Sequence, residues 1–126
     1  MSDAPIAGTY QTRLVKGGPW VPVMLYFGLP IIGGEEQDRG PRWCVVVDGA
    51  TDELEVDRDA GYRCRVAIRV DRYWPYCGRE PIGLADYHYM VDFARWAKVH
   101  APHLPQASPR SPVKLDQMKP ILPPTR

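Results

Sequence analysis

The chain has no apolar run near the roughly 18 residues that a membrane helix requires. Its first residues, MSDAPIAG, contain neither the basic nor the hydrophobic region of a signal peptide. No membrane partner is expected, and the cytoplasm is the expected compartment. Cysteine is scarce. Cys44, Cys64 and Cys77 are odd in number and form no C-x-x-C, which argues against both a disulfide framework and a zinc ribbon. Free thiols are expected. Serine is also rare, and Ser2, Ser108 and Ser111 all lie in terminal segments. With no G-x-S-x-G, no H-E-x-x-H and no lysine-bearing phosphate loop, hydrolase and NTPase readings lose their signatures.

The remaining catalytic ingredients do not assemble. Cys77 and His88 would make a thiolate–imidazole pair, with Arg79 helping to lower the thiol pKa. Yet Cys77 falls in a turn, His88 points away from the expected core, and no third group orients them. Cys64, Cys77, His88 and His100 lack the paired short spacings of a structural zinc site. No enzyme, metal or cofactor is expected, and the histidines read as solvent-facing.

What is present fits one domain. A chain of 126 residues can bury roughly two-thirds of its unfolded surface in a single core. The net charge of +1 conceals an asymmetry: residues 1–100 hold 12 Lys/Arg against 14 Asp/Glu, residues 101–126 hold 4 against 1. The expected layout is a flexible N-terminus over 1–7, a β-rich domain with a C-terminal helix over 8–100, and a proline-rich basic tail over 101–126.

Gly8 to Lys16 and Trp20 to Phe27 read as strands reversed at Gly17-Gly18-Pro19. The second is apolar on both faces, with Val21, Val23, Leu25 and Phe27 on one and Trp20, Met24 and Tyr26 on the other, so it is expected to be largely buried. Pro22 must sit at a bulge or turn its nitrogen away from a neighbour. Gly33 to Pro41 reads as a surface loop without the sequence of a phosphate cradle. Arg42 to Asp48 is a third strand.

Between Glu53 and Val70 lies the most regular pattern. Tyr62, Cys64, Val66, Ile68 and Val70 alternate with Arg63, Arg65, Ala67 and Arg69, while Leu54 and Val56 alternate with Glu53, Glu55 and Asp57. A hairpin turning at Asp59-Ala60-Gly61, with Gly61 left-handed, would place Asp57 opposite Arg63 and Glu55 opposite Arg65. Two arginines of the stripe would then be neutralised. Arg69 and Arg72, leading into Tyr73 and Trp74, would remain for phosphate contacts.

The long helix-period segment follows an aromatic turn, YWPYC, and a Pro81 that suits a first helical turn. Leu84, Tyr87, Met90, Val91, Ala94 and Ala97 form the expected core face. Tyr89, Phe93, Trp96 and His100 form a second apolar side, flanked by Asp86, Asp92 and Arg95. Either the strand domain or the tail covers that side, or it is an exposed docking patch. The tail holds seven of the fourteen prolines, which favours extended chain. Its end resembles a Pro-x-x-Pro ligand, or the tail is a strap returning Leu104, Val113, Leu115, Ile121 and Leu122 to the domain, or it is disordered.

The run YQTRLVKGGPWVPVMLYFG, then PRW, then YWPYCGREPI leading into an aromatic helix, resembles small uncharacterised accessory proteins of bacterial prophages and tailed phages. The likeness spans most of residues 8–100, and Gly49 to Val70 is additional to it. It implies a mobile-element context without catalytic residues. The expected fold is mainly β with one C-terminal helix: a small SH3-like antiparallel barrel or curved sheet of about five strands, braced by the helix. The expected function is a non-enzymatic binding module that docks on a host or phage protein through Tyr89, Phe93, Trp96, Tyr73, Trp74 and Tyr76. The alternative is a single-stranded nucleic-acid binder using Arg69, Arg72 and Trp74.

Overall fold

A strand apolar on both faces belongs inside a molecule, and of Trp20 to Gly28 the residues Val21, Pro22, Val23 and Leu25 are buried. The computed structural model describes residues 4–110 apart from 39, 58 and 60. In order it has β1 (Gly8–Arg13), β2 (Trp20–Gly28), two-residue β3 (Ile31–Ile32) and β4 (Glu35–Glu36), β5 (Arg42–Val47), β6 (Asp52–Asp57) and β7 (Tyr62–Ala67). A short helix, α1 (Trp74–Cys77), and a long one, α2 (Leu84–His100), follow. β2 is the centre of an antiparallel sheet ordered β1-β2-β5.

Register makes the core. Val23 faces Tyr10 on one side and Val47 on the other, Leu25 faces Val45, and Val21 faces Thr12. Directly opposed residues share a face of the sheet, so these side chains form one continuous surface. All are buried, and Ile68 and Cys77 close over them, with Leu14, Val70, Tyr73 and Trp74 packed around. Each buried valine or leucine contributes about 1.5–3 kcal/mol. Phe27, expected on the same face, lies past this cover and is exposed, its ring edge-on to Trp43.

Pro22 explains where the ladder stops. Gln11, opposite it, sends its N–H away from β2 to the Glu80 carbonyl at 3.0 Å, while the Pro22 carbonyl accepts the Asp48 N–H at 2.8 Å. The proline nitrogen therefore points toward the β5 side and has no proton to return. There β5 leaves the sheet through Asp48 and Gly49, both at positive φ.

The sheet does not close into a barrel. Among the described residues β3 pairs with β4 alone and β6 with β7 alone, giving three separate antiparallel sheets. The mainly β architecture with one main helix stands, as small antiparallel sheets and not as a closed barrel. The expected loop over 33–41 contains β4, which turns back on β3 through Gly33 and Gly34, both left-handed.

The hairpin register also departs from expectation. Asp57 lies opposite Tyr62, Glu55 opposite Cys64 and Leu54 opposite Arg65, with Gly61 left-handed as expected. Keeping acid opposite base constrains a strand pair only where one face must be buried. Here Leu54, Val56 and Tyr62 are all more than half exposed. The hairpin is instead anchored at its base, where Asp52 accepts from the Gly33 N–H and Arg65, and Ile68 enters the core.

Pro81 is not in the helix. Residues 80–82 run along the free edge of β1, with Gln11 N–H to Glu80 and Ile82 N–H to Thr9 flanking a Tyr10–Pro81 bridge that needs no donor from proline. α2 begins at Leu84 after Gly83. Tyr87, Ala94 and Ala97 are buried and Met90 and Val91 half-buried, but Leu84 is 58% exposed. It stands in the first turn, ahead of the place where α2 meets the sheet. After α2, Ala101 and Pro109 are buried, and the turn Pro105–Ala107 packs on the helix. Expected tail contacts from Val113 onward lie outside the described residues. Among the described residues no helix is long and apolar enough to cross a membrane.

Candidate functional site

The aromatic side of α2 faces outward. Positions 89, 93, 96 and 100 are four, three and four apart, so their side chains line up along one helical stripe. Tyr89 stacks on Phe93 at 6.1 Å, Phe93 on Trp96 at 6.0 Å, and Trp96 meets His100 at 5.5 Å. Tyr89 is 68% and Trp96 50% exposed, and Phe93 is half-buried. Asp92 and Arg95 form a loose pair at 4.0 Å beside the ridge.

Below the ridge runs a groove of about 630 Å³, bounded by Tyr89, Met90 and Phe93 on one wall and Pro19, Trp20 and Pro22 on the other. Arg13 lies over the Trp20 ring at 4.4 Å, a cation–π contact that holds the guanidinium without cancelling its charge. Asp48 lines the groove as well. One carboxylate oxygen meets Lys98 at 3.4 Å, and the other is buried without a hydrogen-bond partner among the described residues. Burial pushes the Asp48 carboxyl above its usual range, against the opposing pull of Lys98 and Arg110.

The aromatic turn is divided by packing. Trp74 sits edge-on to Tyr10 at 5.5 Å and 87° and belongs to the core margin, so its ring is not a free platform. Tyr73 packs beside it and takes a hydrogen bond on its hydroxyl from Arg110 at 3.2 Å. Tyr76 is 71% exposed. Among the described residues no ring contact joins Tyr73 or Tyr76 to the ridge. Tyr73 and Tyr76 line a different cleft, and Arg13 borders both.

The arginines also separate. Arg69 is held by Asp71 through two hydrogen bonds, 3.2 and 2.8 Å, and that bonding keeps the Asp71 carboxyl below its usual range. Arg65 is taken by Asp52 at 3.0 Å, while Arg72 is only 3.7 Å from Glu53. The hairpin stripe is therefore not neutralised by direct cross-strand pairs as expected. Arg63 has Val56 across from it, and Arg65 finds its acid diagonally.

Of the thiols, Cys77 is fully buried, and burial pushes its pKa up to about 11, which disfavours the thiolate at neutral pH. His88 lies on the exposed side of α2, against Tyr87. Among the described residues no group of His, Cys, Asp and Glu is placed to hold a metal ion.

What residue-by-residue reading missed is the second cleft, about 550 Å³, lined by Arg13, Lys16, Arg72 and Arg110 with Tyr73 and Tyr76. Its residues come from three distant segments, so no local spacing announces it. Compared with protein-family models, with curated proteins and with solved structures, the chain matches none.

Proposed function

We propose that this protein is a non-enzymatic binding module, a phage or prophage accessory protein of the cytoplasm, that docks on a host or phage protein through Tyr89, Phe93 and Trp96. The observation that carries the reading is that three stacked aromatic rings stand outward on a helix whose other side packs on the sheet. Rigid aromatics are the common anchors of protein interfaces, because they bring large apolar area at small cost in side-chain entropy. The groove beneath, walled by Trp20 and two prolines, extends the apolar surface a partner would cover. The Asp92–Arg95 pair supplies a polar rim.

The test compares Trp96→Ala with Leu25→Ala. Trp96→Ala is expected to lower affinity for a captured partner by about 2 kcal/mol or more with little change in melting temperature. Leu25→Ala, in the core, is expected to cost about 2–5 kcal/mol of stability. The reading fails if Trp96→Ala retains the same partner from nuclease-treated host or phage-infected lysate, or if it destabilises the fold as much as Leu25→Ala does.

A further inference from the structure

We propose that the cleft between the end of β1 and α1 binds a nucleotide unit, with phosphate held by Arg13, Lys16, Arg72 and Arg110 and the base stacked on Tyr76. The site is distinct from the ridge and does not rest on the docking proposal. Four cations converge on about 550 Å³ whose lining includes no carboxylate among the described residues. The whole chain carries a net charge of only +1, so this is a local concentration and not a general basicity. Bringing like charges together costs free energy, and a bound anion relieves that cost.

Two guanidiniums of this cluster are held by partners other than a carboxylate. Arg65, Arg69, Arg95 and Lys98 each lie within ion-pair distance of a carboxylate. In the cleft, Arg13 is positioned by the Trp20 face and Arg110 by the Tyr73 hydroxyl, partners that orient a guanidinium and leave its charge intact. Arg72 is paired with Glu53 at 3.7 Å, and Lys16 has no ion pair with a described residue. Fork-shaped donors held without neutralisation match the oxygens of a phosphate.

The aromatics narrow the ligand. Tyr76 is 71% exposed at the cleft wall and makes no ring contact with another described aromatic, so one face is open to stacking. Base–tyrosine stacking tolerates any base, and the volume falls in the range of small-molecule sites. Two sources share this chemistry, a single strand and a free nucleotide.

The full chain would be titrated at low salt against fluorescent oligothymidylate of about a dozen nucleotides, with ATP and inorganic phosphate as competitors. Arg72→Gln and Arg110→Gln are each expected to weaken strand binding roughly tenfold and to lower the log–log salt slope by about 0.7. Tyr76→Ala is expected to weaken it roughly tenfold with the slope unchanged. Arg63→Gln, on the hairpin, and Trp96→Ala, on the ridge, are expected to leave binding as it was. If ATP displaces the strand, the source is a free nucleotide. If it does not, the source is a single strand, and either result supports the site. Three results would overturn the proposal: no binding of strand, ATP or phosphate; equal loss with Arg63→Gln; or phosphate competing as well as ATP while Tyr76→Ala has no effect. Trp96→Ala losing its protein partner while binding the strand normally would show that the two sites are independent.

Discussion

Asp48 concentrates three demands in one residue: a positive φ of 54°, a carboxylate oxygen buried without a hydrogen-bond partner among the described residues, and a Lys98 ammonium no nearer than 3.4 Å. Its pKa is raised, so the folded state retains this proton to higher pH than the unfolded chain does. Stability therefore falls as pH rises from the ordinary carboxylate value through the folded one, the reverse of a well-paired aspartate. Asp48→Asn removes that loss, and asparagine accepts the left-handed backbone as readily. The Lys98 contact it gives up is half exposed and worth at most about 1 kcal/mol. The variant is expected to melt higher than the parent at neutral pH, and to show a flatter melting profile across the weakly acidic range. A loss of more than about 1 kcal/mol at neutral pH would mean that the Lys98 pair outweighs desolvation.

At the scale of elements, legibility tracked burial. In β2, apolar on both faces, the sequence pointed to burial without naming a face, and it is Val21, Val23 and Leu25 that the core covers while Phe27 is exposed. The faces of α2 separated correctly at Tyr87, Ala94, Trp96 and Ala97 because one side of it packs on the sheet. Leu84 failed because helical phase says which way a side chain points but not where along the helix the sheet lies. Pro81 failed because a proline suited to a first helical turn suits an edge bridge equally. The β6–β7 register failed where burial is absent and the turn decides. Two expectations follow. Leu84→Ala should change stability by less than about 0.5 kcal/mol, as should Leu54→Ser or Val56→Ser on the open hairpin. Ala97→Leu, forced against a site with no exposed surface, should cost about 1–3 kcal/mol. Denaturant melts of the four variants test both. A large loss at Leu54 or Val56 would place the hairpin against a partner face. Of the basic cleft, Arg72 was legible as a candidate phosphate contact beside Tyr73, but its meeting with Arg13 and Arg110 was not, since the three come together only through β1, the turn before α1 and the chain after α2.

For the whole molecule, the open question is where the folded body ends. A proline-rich composition suggested a boundary near His100, yet the described chain past that point is engaged with the body. Leu104 N–H returns to Ala101, the turn Pro105–Ala107 lies on α2, and Pro109 is buried with its carbonyl beside Gly18. Adding a Cβ at Gly18 would meet Val15 at 2.9 Å and the Pro109 carbonyl at 3.4 Å, so the β1–β2 turn and this segment fit closely. Arg110 then reaches Tyr73 across the cleft. Residues 104–110 thus join α2, the β1–β2 turn and the α1 side of the sheet. Two truncations separate their contribution. A chain ending at His103 loses those contacts and one of the four cleft cations, whereas a chain ending at Arg110 retains all of them. The shorter chain is expected to melt lower than the longer and to bind oligothymidylate about tenfold more weakly, as Arg110→Gln alone would. Equal melting temperatures would show that the segment rests on the body without stabilising it. Arg110→Gln in the longer chain would then measure whether the loss of binding belongs to the guanidinium or to the segment that carries it.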